Sequence, residues 1–206
     1  VLAKRAGVQL RREDPKLRSE RTRLFALLED ATKLFESVLT APISPERISP
    51  PARQSFSGGG PLAYTKKRGL TDATIKTWRI GFAPDSWDFL MNHLRQKGYH
   101  NEEIERSGLA VKSEQGSYYD RFRGRIMFPV SDASGRVVGF SGRIFDQSDQ
   151  IDKNDKHVRS TLPASSSSSY SSQTAKYINT PQTPIYDKSR VLYGFDKARD
   201  EIRKQN

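Results

Sequence analysis

Four short stretches of this chain carry side chains that could handle phosphates and bases. Tyr119-Asp120-Arg121-Phe122-Arg123-Gly124-Arg125 sets three arginines at period two. On a strand they share one face, opposite Phe122. Three guanidiniums on one face repel each other unless an anion neutralises them, and each is a planar fork suited to phosphate oxygens. A solvated face with scattered ion pairs is the alternative. Gly139-Phe140-Ser141-Gly142-Arg143 places glycines inside a strand, which marks a bulge or a close approach of ligand to backbone, with Arg143 projecting beside the gap. Lys176-Tyr177-Ile178-Asn179-Thr180-Pro181 offers a cation, a ring, an amide and a turn. That mixture suits a nucleotide or a single strand: charge for phosphate, ring for base, amide for a base edge or sugar. Ile185-Tyr186-Asp187-Lys188-Ser189-Arg190 adds two cations, Lys188 and Arg190. Taken singly, each stretch also fits a surface lysine or a core tyrosine.

The elements that must position these groups sit in a strongly basic chain. Lys and Arg number 35 against 24 Asp and Glu, a formal charge of +11 over 206 residues. An excess of that size favours a polyanionic partner, nucleic acid or an anionic membrane. Apolar residues are 34% of the chain, enough for a core but with much of the sequence left in solvent. No stretch reaches the apolar length of a membrane span. Cysteine is absent, which excludes disulfides and thiolate zinc sites, and His93, His100 and His157 have no mutual ligand spacing. Val1-Leu2-Ala3-Lys4-Arg5 lacks an initiator Met and an apolar signal core, so the chain is expected to begin inside something longer.

Residues 1–20 are charged and read as an arm. Over 21–40, Leu24, Leu27, Leu28, Ala31, Leu34, Phe35, Val38 and Leu39 mark one face of a helix. Residues 41–60, with four prolines and Ser57-Gly58-Gly59-Gly60, read as a joint; no strand leads into the glycines and no Gly-Lys-Ser/Thr follows, so a linker is preferred to a phosphate loop. From Leu62 four short helices are expected: one ending at Gly69, one capped by Thr71, one capped by Asp85 or Ser86 with Trp87, Leu90, Met91 and Leu94 on one side, and one capped by Asn101. Strands follow at Leu109–Lys112 and Tyr118–Arg121 around a turn, then along Ile126, Phe128 and Val130, then over Arg136–Phe145. Residues 146–175, with Ser165–Ser169 in a run, read as a polar insertion; aspartates 146, 149, 152 and 155 fit a solvated tether better than a cation loop. Order returns at Lys176, and a last helix spans Phe195–Lys204. The fold class is α+β: an antiparallel or mixed sheet with flanking helices, preceded by a helical linker.

In order along the chain, Tyr-Asp-Arg-Phe-Arg-Gly-Arg-Ile-Met-Phe-Pro at 119–129, Gly-Arg-Val-Val-Gly-Phe-Ser-Gly-Arg at 135–143, Lys-Tyr-Ile-Asn-Thr-Pro-Gln-Thr at 176–183 and Lys-Ser-Arg-Val-Leu-Tyr-Gly at 188–194 closely resemble one family: the N-terminal subdomain of the bacterial (DnaG-type) DNA primase core. Lys-Lys-Arg-Gly-Leu-Thr at 66–71, Ile-Gly-Phe-Ala-Pro at 80–84 and Trp87-Asp88 fit it too, and Leu2-Ala3-Lys4-Arg5-Ala6-Gly7-Val8 resembles the tail of its zinc-binding domain. The joint before Pro61 and the length of the 146–175 insertion depart from the pattern. On this resemblance residues 1–20 are the tail of the zinc-binding domain, 21–60 a linker helix and joint, and 61–206 the core subdomain.

The resemblance implies roles. Arg68, Arg143 and Lys176 would form a basic ridge holding single-stranded DNA template. Lys188, Arg121, Arg123, Tyr177 and Asn179 would surround the incoming ribonucleoside triphosphate. The whole enzyme would make RNA primers for replication in the bacterial cytoplasm, at the nucleoid, or in an organelle, and would meet the replicative helicase through a C-terminal region. Its Mg2+ or Mn2+ would sit on a downstream Toprim domain and its Zn2+ on an upstream domain, with no metal and no catalytic carboxylate held by this segment, which alone would make no primer. The rivals are a stand-alone single-strand-binding module and the front of another Toprim enzyme, such as a topoisomerase or nuclease.

Overall fold

The computed structural model describes residues 14–41, 60–145 and 175–205, so most of the N-terminal arm, the joint and the insertion lie outside the described residues. The first helix, α1 (Pro15–Thr40), starts six residues before the apolar periodicity does. Asp14 begins it by accepting from the Lys16 amide, and Pro15 occupies the first turn, where its missing N–H costs nothing. The early turns give no periodic signal because their one large apolar residue, Leu17, is exposed.

Four short helices follow: α2 (Gly60–Lys67), α3 (Asp72–Thr77), α4 (Phe89–Gln96) and α5 (Asn101–Arg106). Thr71 caps α3, as its position predicts, by accepting from the Thr74 amide. The other caps differ from expectation. Helix α4 is preceded by Asp88, not Asp85 or Ser86, and Trp87 lies outside it, 61% exposed. His100 takes the cap position of α5, where the Glu103 carboxylate accepts its backbone N–H.

The strands form two sheets rather than one. β1 (Gly81–Ala83), β4 (Arg125–Ser131), β5 (Val137–Ile144) and β6 (Tyr177–Asn179) are antiparallel in the order β1-β4-β5-β6, while β2 (Ala110–Lys112) and β3 (Tyr118–Asp120) make a separate hairpin. The chain closes with α6 (Phe195–Gln205). Among the described residues no helix is long and apolar enough to cross a membrane.

One core holds α1 to the larger sheet. Leu27, Leu28, Ala31 and Phe35 of α1 bury against Leu90, Met91, Leu94, Phe122, Met127 and Phe140. The Phe35 ring meets Phe140 edge-on at 5.5 Å. On the helix's outer side Arg79 grips Glu29 and Glu36, one α1 residue at each end of two turns, with its nitrogens 2.7 and 3.0 Å from the two carboxylates. Those carboxylates raise the Arg79 pKa above its usual value. Gly81 sits so close to α1 that a Cβ there would stand 2.5 Å from the Phe35 carbonyl carbon. Gly81→Ala should therefore destabilise the fold by about 1–3 kcal/mol, the usual range for overpacking, read as a lower urea midpoint at unchanged slope. A second, smaller core gathers Leu39, Tyr64, Ile75, Ile80, Phe82 and Ile126 under α2 and α3.

Candidate nucleic-acid interface

The cross-strand register decides which of the candidate residues meet. In the β5–β6 ladder Arg143 stands opposite Tyr177, and Ser141 opposite Asn179. Residues two apart on a strand share a face, so these four line one face at the β6 edge. Arg143 does not project freely: it is only 5% exposed, with its guanidinium 5.3 Å from the centre of the Tyr64 ring. Arg68, exposed just past the end of α2, reaches the same ring at 5.8 Å. Tyr64 thus brings together two of the three expected ridge residues. It was missed in the sequence, although an aromatic four residues before an arginine on a helix is a readable pair. Phe145 braces the ring edge-on at 5.2 Å and is braced in turn by Phe82. Two guanidiniums on one ring repel each other, and an anion between or beside them relieves that repulsion.

Lys176, the third expected cation, is exposed at the start of β6. Its backbone is fixed, because its carbonyl accepts from the Ile144 amide at 2.9 Å and from Arg125 Nη1 at 3.4 Å. The far end of β6 is pinned by Thr180, which exchanges backbone and side-chain hydrogen bonds with Phe140 at 2.9 and 2.8 Å. Tyr177, Asn179 and Lys176 are left exposed on an edge strand tied at both ends.

The three-arginine ladder expected at 121–125 does not form. β3 ends at Asp120 and β4 begins at Arg125, so residues 121–124 turn between sheets. Arg125 is buried and structural, donating to the carbonyls of Gly142 and Ala175. Arg121 is half-buried, with its Nε lacking a protein acceptor and burial pushing its pKa down. Arg123 donates to the Asp120 carbonyl and lies 4.0 Å over the exposed Trp87 and 5.3 Å from Tyr119. Arg123 therefore belongs to an aromatic group on the hairpin side. The strand glycines also differ from expectation: a Cβ on Gly139 would meet Thr180 at 3.0 Å and one on Gly142 would meet Phe122 at 2.8 Å, so they make room for the protein's own side chains, not for a ligand. Lys188 is exposed in a turn closed by Asp187, whose carboxylate accepts from the Ser189 amide and hydroxyl.

Asp120 holds this surface together without facing it. Its carboxylate reaches across thirty residues to accept the Leu90 and Met91 amides at 2.7 and 3.0 Å, at the start of α4. Burial pushes its pKa up to about 7, against the downward pull of those amides. The folded form is thus the better proton binder, and this group's contribution is full below its ordinary 3.8 and lost as pH rises through about 7. Asp120→Ala should cost about 2–4 kcal/mol, leaving two helix-end amides unpaired, and the cost should be larger at pH 4 than at pH 8 in thermal melts. Among the described residues no three His, Asp or Glu side chains come together as a metal site.

An edge strand with a ring, an amide and one exposed lysine at its start thus lies beside an arginine–tyrosine cluster in an α+β domain. The chain belongs to the DNA primase catalytic core N-terminal domain family, whose model matches residues 54–199. It is 43% identical over 152 residues to a DNA primase of Staphylococcus aureus (strain COL), covering 73% of this chain and 21% of that protein. The chain therefore spans about a fifth of the length of the curated relatives it matches. Its fold is similar to the RNA polymerase domain of Mycobacterium tuberculosis primase DnaG in complex with a double-stranded DNA oligomer with a 6-nucleotide overhang: TM-score 0.64, 30% identity, 89% of this chain and 46% of that one. It is also similar to a DnaG primase catalytic domain bound to ssDNA, with a TM-score of 0.61 and 31% identity over 89% of this chain and 46% of that one.

Proposed function

We propose that this chain is the template-holding part of a DNA primase, and that Arg68, Arg143 and Lys176 carry the single strand past the site of RNA primer synthesis. The observation that carries this reading is the convergence of Arg68 and Arg143 on Tyr64, with Arg143 opposite Tyr177 and next to Lys176. Phosphates of the single strand meet the two guanidiniums and the ammonium. The solved relatives whose names include DNA support the partner.

The incoming ribonucleoside triphosphate, on this reading, is met by Lys188, Arg121 and Arg123, with Tyr177 and Asn179 reading base and sugar from the β6 edge. The metal ions that nucleotidyl transfer needs, and the helicase that recruits a primase, are assigned to parts of the longer protein. Single-stranded DNA binding tests the reading directly. Arg68→Ala and Lys176→Ala should each weaken binding of a fluorescein-labelled oligonucleotide about fivefold, near 1 kcal/mol, in anisotropy titrations. Arg143→Met, which keeps the buried stem, should do the same. Equal effects from Lys33→Ala, on the far helix α1, would remove the ridge from the account.

A further inference from the structure

The segment that carries Lys188 is fastened at two points. Before it, Tyr186 is buried with Val130 and Val138, and pairs with Thr183 through backbone hydrogen bonds in both directions. After it, the Tyr193 ring stacks on Trp78 of the α3 end, 5.3 Å between centroids and 22° between planes. Lys197 of α6 lies 5.5 Å from the same indole. Gly194 is tightly fitted there: its φ is +76°, and a Cβ would stand 2.9 Å from the indole Cη2. Between the two anchors lie the Asp187 turn, Val191, which packs on the Tyr186 cluster, and the exposed Leu192, so the position of Lys188 is set by Tyr186 and Val191 at one end and by Tyr193 at the other.

We infer that the Trp78–Tyr193 stack is a positioning device for Lys188: α3 sets the place of the lysine that meets the triphosphate. Trp78 and Tyr193 touch no substrate in this scheme. They act through the short segment 188–194, which without the stack is held only through Tyr186 and the partly buried Val191. Losing the second anchor lets Lys188 sample a wider volume, and a contact that needs its ammonium beside a phosphate forms less often. The inference rests on the reading that Lys188 faces the nucleotide, and its experiment separates the two.

The probe is periodate-oxidised ATP, whose dialdehyde forms a Schiff base with a nearby amine that borohydride traps. Labelling of the 206-residue chain is read at each lysine by mass spectrometry. In the wild type, Lys188 should label saturably and unmodified ATP should compete. In Tyr193→Ala, which removes a ring that is 46% exposed and outside the cores, ATP-competed labelling at Lys188 should fall at least fivefold while single-stranded DNA binding stays unchanged. Tyr193→Phe, which keeps the stack, should restore it. Gly194→Ala, whose added Cβ presses on the indole and wedges the segment off Trp78, should behave like Tyr193→Ala. If Lys188 labels with ATP competition in the wild type and equally in Tyr193→Ala and Gly194→Ala, the positioning role is wrong and the nucleotide reading stands. If the wild type shows no ATP-competed labelling at Lys188, the nucleotide reading falls, and the inference with it.

Discussion

Removing residues 1–41 should yield a chain that does not fold. Helix α1 contributes Leu24, Leu27, Leu28, Phe35 and Leu39 to the buried set, each 3% exposed or less. Burying one such side chain is worth about 1.5–3 kcal/mol, so five together approach roughly 10 kcal/mol, which is comparable to the whole stability of an ordinary domain at about 5–15 kcal/mol. The loss is not confined to the helix. Without it Phe140, Met127, Met91 and Leu94 face water, and the Arg79 guanidinium loses both carboxylates. The family model begins at residue 54, after α1 has ended, so a truncation guided by that boundary alone would remove the helix. Near-ultraviolet circular dichroism and a thermal melt decide the matter. The truncated chain should show neither an aromatic signal nor a cooperative transition, whereas a melt close to that of the full chain would mean that α1 is dispensable.

The apolar stripe over 21–40 announced a helix with a buried face, yet a helix followed by a proline- and glycine-rich joint reads as a linker. Periodicity shows that a face must be covered; it does not name the partner. What covers α1 comes from strands a hundred residues away, and the only local sign is Gly81, whose missing side chain lets β1 lie on the helix. The β1 strand itself was not legible, because its three residues are buried on both faces and show no alternation. Short helices with a polar cap and a trailing glycine were legible, as Thr71 and Gly69 show, since those signals act within a turn. The cap supplied to α4 by Asp120 was not, because it acts across thirty residues and looks in the sequence like a lone carboxylate.

The candidate site was legible in composition and not in geometry. Spacing put Arg121, Arg123 and Arg125 on one face by assuming a continuous strand. The chain instead turns between two sheets there, and burial gives Arg125 to backbone carbonyls. Arg143, Lys176, Tyr177 and Asn179 were recognised separately, and it is the antiparallel β5–β6 register that sets Arg143 against Tyr177 and Ser141 against Asn179. Tyr64, on whose ring Arg68 and Arg143 lie, was missed, and Trp87, expected on a helix face, instead lies outside the helix under Arg123.

The salt dependence of single-strand binding tests the central claim most directly. Binding through phosphates releases counterions, so the logarithm of affinity falls linearly with the logarithm of salt, by about 0.7 per phosphate contact on a single strand. Arg68 and Lys176 are both exposed, and replacing both with alanine removes two cations without opening the core. The double variant should melt like the parent, bind an oligonucleotide roughly tenfold or more weakly at moderate salt, and show a slope shallower by about 1.4. A matched control, Lys33→Ala with Lys112→Ala, removes two exposed charges from other elements and should leave the slope nearly unchanged. A double variant whose slope equals that of the parent, or a control that flattens the slope as much, would show that the strand does not run over Arg68, Arg143 and Lys176.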